Sequence, residues 1–173
     1  MTRKHVSSLL IAIAANMIGY TFAQQGQQTL PENEMAYSPV PARPAAPAVR
    51  LNEVPTKAVR SFAREFSNAD AKWYRTPDGF VVYFVHKNIR TKMFYDRKGN
   101  YGCTVRNYDE TALPREIRHQ VKSNYYDYQI YHVVEVAAQG QTAYIIKMES
   151  KTSWMDVKVL NNEMEILHEY FKR

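Results

Sequence analysis

The chain has 173 residues, 45% of them hydrophobic and 23% charged, with a formal net charge of +6 and a single cysteine. One cysteine excludes an intramolecular disulfide, so packing has to supply the stability. About 120 residues at the C-terminal side are enough for one domain with its own core.

In chain order, Arg3, Lys4 and His5 precede an apolar stretch over residues 6–18 and a small-residue site at Thr21-Phe22-Ala23. A positive n-region, a short hydrophobic region and a cleavable end predict a secretory signal peptide over 1–23, cut after Ala23. The stretch is interrupted by Asn16 and too short to span a bilayer, so no stable membrane insertion is expected after cleavage. Losing Arg3 and Lys4 lowers the formal charge from +6 to +4. Residues 24–52 are rich in Gln, Pro and Ala and predict a disordered, semi-rigid linker, because they offer little apolar surface to offset the entropy of ordering. The expected location is periplasmic or secreted.

The remaining segment, 53–173, reads as one unit written twice. Pro55 and Pro114 stand fifty-nine residues apart, and Ala58, Phe62 and Phe66 fall on Ile117, Val121 and Tyr125 under that shift. Each trio is spaced by four, which places it on one face of a helix opened by its proline. Strand-like runs follow at 71–75, 80–85 and 89–95, separated by Pro77-Asp78-Gly79 and Lys87-Asn88 and closed by a turn over 96–100. Cys103 sits in a further predicted strand and reads as a small core residue. In the second unit the runs are 128–136, 144–148 and 154–160, with turns at Gln139-Gly140 and Asn161-Asn162. Tyr95 falls on Val159, an offset of 64, so about five extra residues belong to the early strands or loops of the second unit.

Val54-Pro55, the helix ending near Phe66, Ala71-Lys72-Trp73, the strand over 80–85 and Phe94-Tyr95-Asp96-Arg97-Lys98-Gly99-Asn100 resemble the PepSY-like, or β-lactamase-inhibitor-like, family of exported bacterial proteins. The resemblance spans both units and implies an α+β fold. Two tandem helix-plus-four-stranded antiparallel repeats, about 53–110 and 111–173, would form one β-lactamase-inhibitor-like domain with an open sheet face. It also implies a partner that is an exported or envelope protein, a hydrolase or peptidase whose activity the chain restrains. The second unit departs from the pattern at His132, which stands where Trp73 does, and at Asn161-Asn162-Glu163.

Catalytic chemistry has no foothold. The glycines form no phosphate-cradling loop, and the serines sit in no nucleophile elbow. The histidines at 5, 86, 119, 132 and 168 have no helical metal-ligand spacing, and only strand pairing would bring His86 and His132 together. No enzyme, cofactor or metal is therefore expected. The basic string His86, Lys87, Arg90, Lys92, Arg97 and Lys98 is diluted by Asp96 and reads as a strand edge protected by lysines, not as a nucleic-acid site.

Strand alternation points instead to a surface. It places Phe80, Val82, Phe84, Thr91, Met93, Tyr95, Met155, Val157 and Val159 towards the helices. Tyr83, Arg90, Lys92, Phe94, Lys147, Trp154, Asp156 and Lys158 then face the other way, a mixture of aromatics and charges suited to binding a protein. The alternative is a periplasmic small-ligand or glycan-binding pocket between the repeats, lined by Trp73 and Tyr131.

Overall fold

The structure, a computed structural model, describes residues 47–173. The expected signal peptide and residues 24–46 of the expected linker lie outside the described residues. The end of that linker belongs to the fold: the Val49 amide donates to the Trp73 carbonyl at 2.8 Å, and its side chain packs on the first core cluster. A β-branched side chain beside an otherwise unpaired strand gains both a hydrogen bond and apolar contact there.

Helices α1 (Thr56–Glu65) and α2 (Arg115–Asn124) each follow directly on their proline. Pro55 and Pro114 share φ −52°, with ψ 129° and 137°. Both helices end where an aromatic amide closes the last turn, Phe66 on the Phe62 carbonyl and Tyr125 on the Val121 carbonyl, each at 2.9 Å. Ala58, Phe62 and Phe66 of the first, and Val121 of the second, are buried, with Ile117 and Tyr125 packed beside them. The four-residue spacing thus decides which helix face leaves water.

Eight strands follow in a meander: β1 (Lys72–Thr76), β2 (Gly79–His86), β3 (Ile89–Asp96) and β4 (Tyr101–Tyr108), then β5 (Gln129–Ala138), β6 (Gln141–Glu149), β7 (Ser153–Leu160) and β8 (Glu163–Phe171). They form one antiparallel sheet in sequence order, so β1 and β8 are its edges. Three hairpins turn through two residues that both have positive φ: Lys87-Asn88, Gln139-Gly140 and Asn161-Asn162. That geometry matches the twist of the flanking strands and favours Asn and Gly. Strand β5 is ten residues against five in β1, which accounts for the changed offset.

The β3–β4 turn is tied by Asp96, whose carboxylate accepts from the amides of Lys98 and Asn100, both at 2.8 Å, and from Asn100 Nδ2 at 2.6 Å. These bonds, the Asn100 side chain's first, hold the Asp96 carboxyl below its ordinary range. Gly99 has φ +79°, and a Cβ there would lie 2.8 Å from Pro55 Cβ and 3.0 Å from the Ala58 nitrogen. Glycine lets this turn press against the start of α1.

Pairing register fixes the two faces. Phe80, Val82, Phe84, Met93 and Tyr95 join Trp73 beneath α1, while Ile130, Val133, Ile146, Met148, Met155, Val157 and Val159 lie beneath α2. Between these clusters runs a polar seam. Glu135 on β5 accepts from Arg106 Nη1 at 3.0 Å and from the Tyr108 hydroxyl at 2.6 Å. Burial, then that carboxylate, raises the Tyr108 phenol above its ordinary value.

Candidate functional site

Opposite side chains in an antiparallel ladder share a face, so the register places all eight expected contact residues on the side away from the helices. Phe94 lies opposite Val81 and Cys103, Tyr83 opposite Lys72 and Lys92, and Arg90 opposite Val85 and Asn107. On the other half, Lys147 lies opposite His132 and Asp156, Trp154 opposite Glu149 and Tyr170, and Lys158 opposite Ile145 and Glu165. The eight form two groups, one on β2 and β3 and one on β6 and β7, separated by β4 and β5.

The space between the groups is apolar. Cys103, Val105, Val134, Val136, Ala143, Ile145 and Leu160 are all buried, as are Tyr74 and Val81 beside the first group. The face is therefore not the evenly wetted surface that alternation suggests. Its accessible parts are Arg90 and Val85, which are exposed, and Tyr83, Lys92, Phe94, Lys147, Trp154 and Asp156, which are half-buried. Lys158 is buried, because its stem lies between Ile145 and Glu165 and its ammonium is paired with Glu165. Burial pushes the Cys103 thiol up to about 12, which keeps it protonated and unreactive.

The first group is aromatic and cationic. The Tyr74 and Tyr83 rings meet edge to face at 5.3 Å, and Lys92 Nζ stands 5.0 Å from the Tyr83 centroid. Burial lowers the Lys92 pKa, and burial followed by Tyr74 raises that of Tyr83. Removal from water thus favours the neutral form of both.

The second group is an ion-pair array. Lys147 Nζ donates to Asp156 Oδ2 at 2.6 Å, and His168 Nδ1 stands 3.9 Å from the same oxygen. His132, across from Lys147, is buried, and its pKa is lowered by that burial, then by Lys147, against the pull of Asp156. Lys172 bonds Glu149 at 2.5 Å and the Ser150 carbonyl at 2.6 Å, and lies 4.7 Å from the Trp154 ring centroid. Strand alternation already places Glu149 on this face, as the register does, whereas it does not single out His132, His168, Glu165 and Lys172 as members of the array. The Asn161-Asn162 turn held the signal for one of these pairs: a two-residue hairpin sets Leu160 against Glu163, and therefore Lys158 against Glu165.

Other expectations are corrected by placement. Trp73 is a core residue, 5.7 Å from the Phe62 ring and 5.5 Å from Tyr95, while Tyr131 sits at a β5 bulge. Three strands separate β1 from β5, so the two are not brought together. Ile130, not His132, faces α2 from that part of β5, because the Tyr131 bulge and strand alternation put His132 on the other side. His86 contacts the Phe66 ring on the helix side, away from His132. The basic string also divides, since Arg97 bonds the Pro77 carbonyl at 2.7 Å while Arg90 and Lys92 face the site from an interior strand, not an edge. A hollow of about 740 Å³ beside Pro55, Arg75, Phe80 and Arg97 lies at the β1–β2 turn. Arg75 is already over Phe80 at 5.0 Å. Among the described residues no group of three or more His, Cys, Asp or Glu is arranged to hold a metal ion, and no helix is long and apolar enough to cross a membrane.

No family model matches the chain. No curated protein matches it either. Solved structures do. A BLIP-like protein from Bacteroides fragilis is 18% identical, with a TM-score of 0.53 over 68% of this chain and 86% of that one. A DUF2874 family protein from Bacteroides ovatus is 13% identical, with a TM-score of 0.55 over 68% and 87%. A protein from Bacteroides eggerthii, described provisionally as periplasmic, is 12% identical, with a TM-score of 0.54 over 68% and 88%. These likenesses concern the backbone path: two helices on an eight-stranded antiparallel sheet, a fold that is BLIP-like.

Proposed function

We propose that this chain is an exported, non-enzymatic protein-binding module that takes its partner on the sheet face away from the helices. The observation that carries the reading is the register, which gathers Tyr83, Arg90, Lys92, Phe94, Lys147, Trp154, Asp156 and Lys158 onto that face. Strands held in an eight-strand ladder present such groups without reordering, which keeps the entropic cost of association low. The partner is an exported or envelope protein, and by likeness to the BLIP-like neighbour a hydrolase or peptidase that the chain restrains sterically. A periplasmic location accords with the N-terminal sequence and with the description of the Bacteroides eggerthii neighbour. The two halves are a tandem pair of PepSY-like units, a reading supported by helices of equal length and matching caps, each followed by four strands.

The test is capture from an envelope extract with the immobilised chain, compared with a Phe94→Ala/Trp154→Ala variant and an Arg118→Ala variant on exposed α2. A partner retained by the parent and the α2 variant, and weakened about tenfold or more in the double variant, is expected. Equal retention by all three would contradict the assignment to this face.

A further inference from the structure

Charge on the site face is unevenly compensated. On β6, β7 and just past the end of β8, each lysine has a carboxylate: Lys147 has Asp156, Lys158 has Glu165 and Lys172 has Glu149. On β1 to β3 the same face carries Lys72, Arg90 and Lys92, and among the described residues none of these has an ion-pair partner. Asp96, at the end of that half, is engaged by its own turn.

The geometry sharpens the imbalance. Lys72 and Lys92 flank Tyr83 on adjacent strands, so their backbones are about 10 Å apart. The Lys92 ammonium lies over the Tyr83 ring at 5.0 Å, and burial lowers its pKa, so it is held where positive charge is poorly compensated. Val85, 59% exposed, and Phe94, half-buried, supply apolar surface alongside.

We propose that the β1–β3 part of this face receives an acidic, partly apolar segment of the protein partner, with a carboxylate held by Lys92 and Arg90. The inference rests on the reading of this face as a protein-binding surface and names the partner's chemistry. A carboxylate there pairs with cations that have no carboxylate of their own among the described residues and forms charge-assisted hydrogen bonds, while the β6–β8 part, already neutralised by its own pairs, adds no net pull.

The experiment uses the exported chain, isotopically labelled, with three probe peptides of one length: glutamate alternating with leucine and phenylalanine, and its glutamine and lysine counterparts. The glutamate peptide is expected to bind about tenfold or more tighter than the glutamine one at low salt, to weaken as salt rises, and to shift amide signals on β2 and β3. An Arg90→Gln/Lys92→Gln variant should lose the preference and keep the weaker binding of the glutamine peptide. The map of shifts on the parent chain decides the matter even where that variant folds poorly. Equal binding of all three peptides on this face would overturn the acidic assignment and leave the protein-binding reading standing. Binding of none would overturn both, and tighter binding of phosphatidylglycerol vesicles through the same two residues would overturn it in favour of a lipid surface.

Discussion

Gly99 shows how a single residue joins sheet to helix. Its φ of +79° and the 2.8 Å approach to Pro55 leave no room for a side chain, so Gly99→Ala has to open the β3–β4 turn or displace the start of α1. A loss of about 1–3 kcal/mol follows from the left-handed backbone and the clash together. Urea unfolding of the variant measures it, and an unchanged midpoint would show that the turn does not bear on the helix. Turn residues such as Gly99 and Asn161-Asn162 were legible in the sequence because their conformational demands are local. The burial of Lys158 was not, because it depends on Ile145 and Glu165 arriving on neighbouring strands.

At the scale of elements, α1 is fastened chiefly by Phe62, which meets Phe66, Trp73 and Phe84 at 5.5, 5.7 and 5.0 Å between ring centroids. Removing that ring leaves a cavity among three aromatics, so Phe62→Ala should cost about 3–5 kcal/mol, read from denaturant unfolding. A cost below 1 kcal/mol would mean that the α1 cluster repacks. Both helices and the hairpin strands were readable from proline placement, four-residue spacing and turn chemistry. The contribution of Val49 was hidden, since one β-branched residue in a Pro- and Ala-rich stretch gains its role only from the unpaired edge of β1. The face of His132 was hidden as well, because the bulge at Tyr131 resets the alternation that sequence reading carries straight through.

Across the whole molecule, one ladder passes from β1 to β8 through the β4–β5 pairing, and a thiol and phenols wholly or partly withdrawn from water are distributed along it. Burial raises the pKa of Cys103 and of Tyr83, Tyr95, Tyr101, Tyr108 and Tyr144 on both halves. Each folded-state value lies above the unfolded one, so this contribution to stability is complete below about pH 9 and is lost as pH rises through the folded values. The urea midpoint should therefore fall steadily from pH 9 upwards, in a single transition reported alike by near- and far-ultraviolet circular dichroism. A midpoint flat to pH 11 would show that these phenols and the thiol ionise freely in the folded state.

The claim on which the account depends is that partners meet the sheet and not the helices. A photo-cross-linking residue placed in turn at Tyr83, Phe94 and Trp154 on the sheet face, and at Arg118 and Arg64 on the helices, tests this in the exporting cell. Adducts to one protein from the three sheet positions, with silent helix positions, are the predicted result. Adducts from the helix positions with a silent sheet face would contradict it.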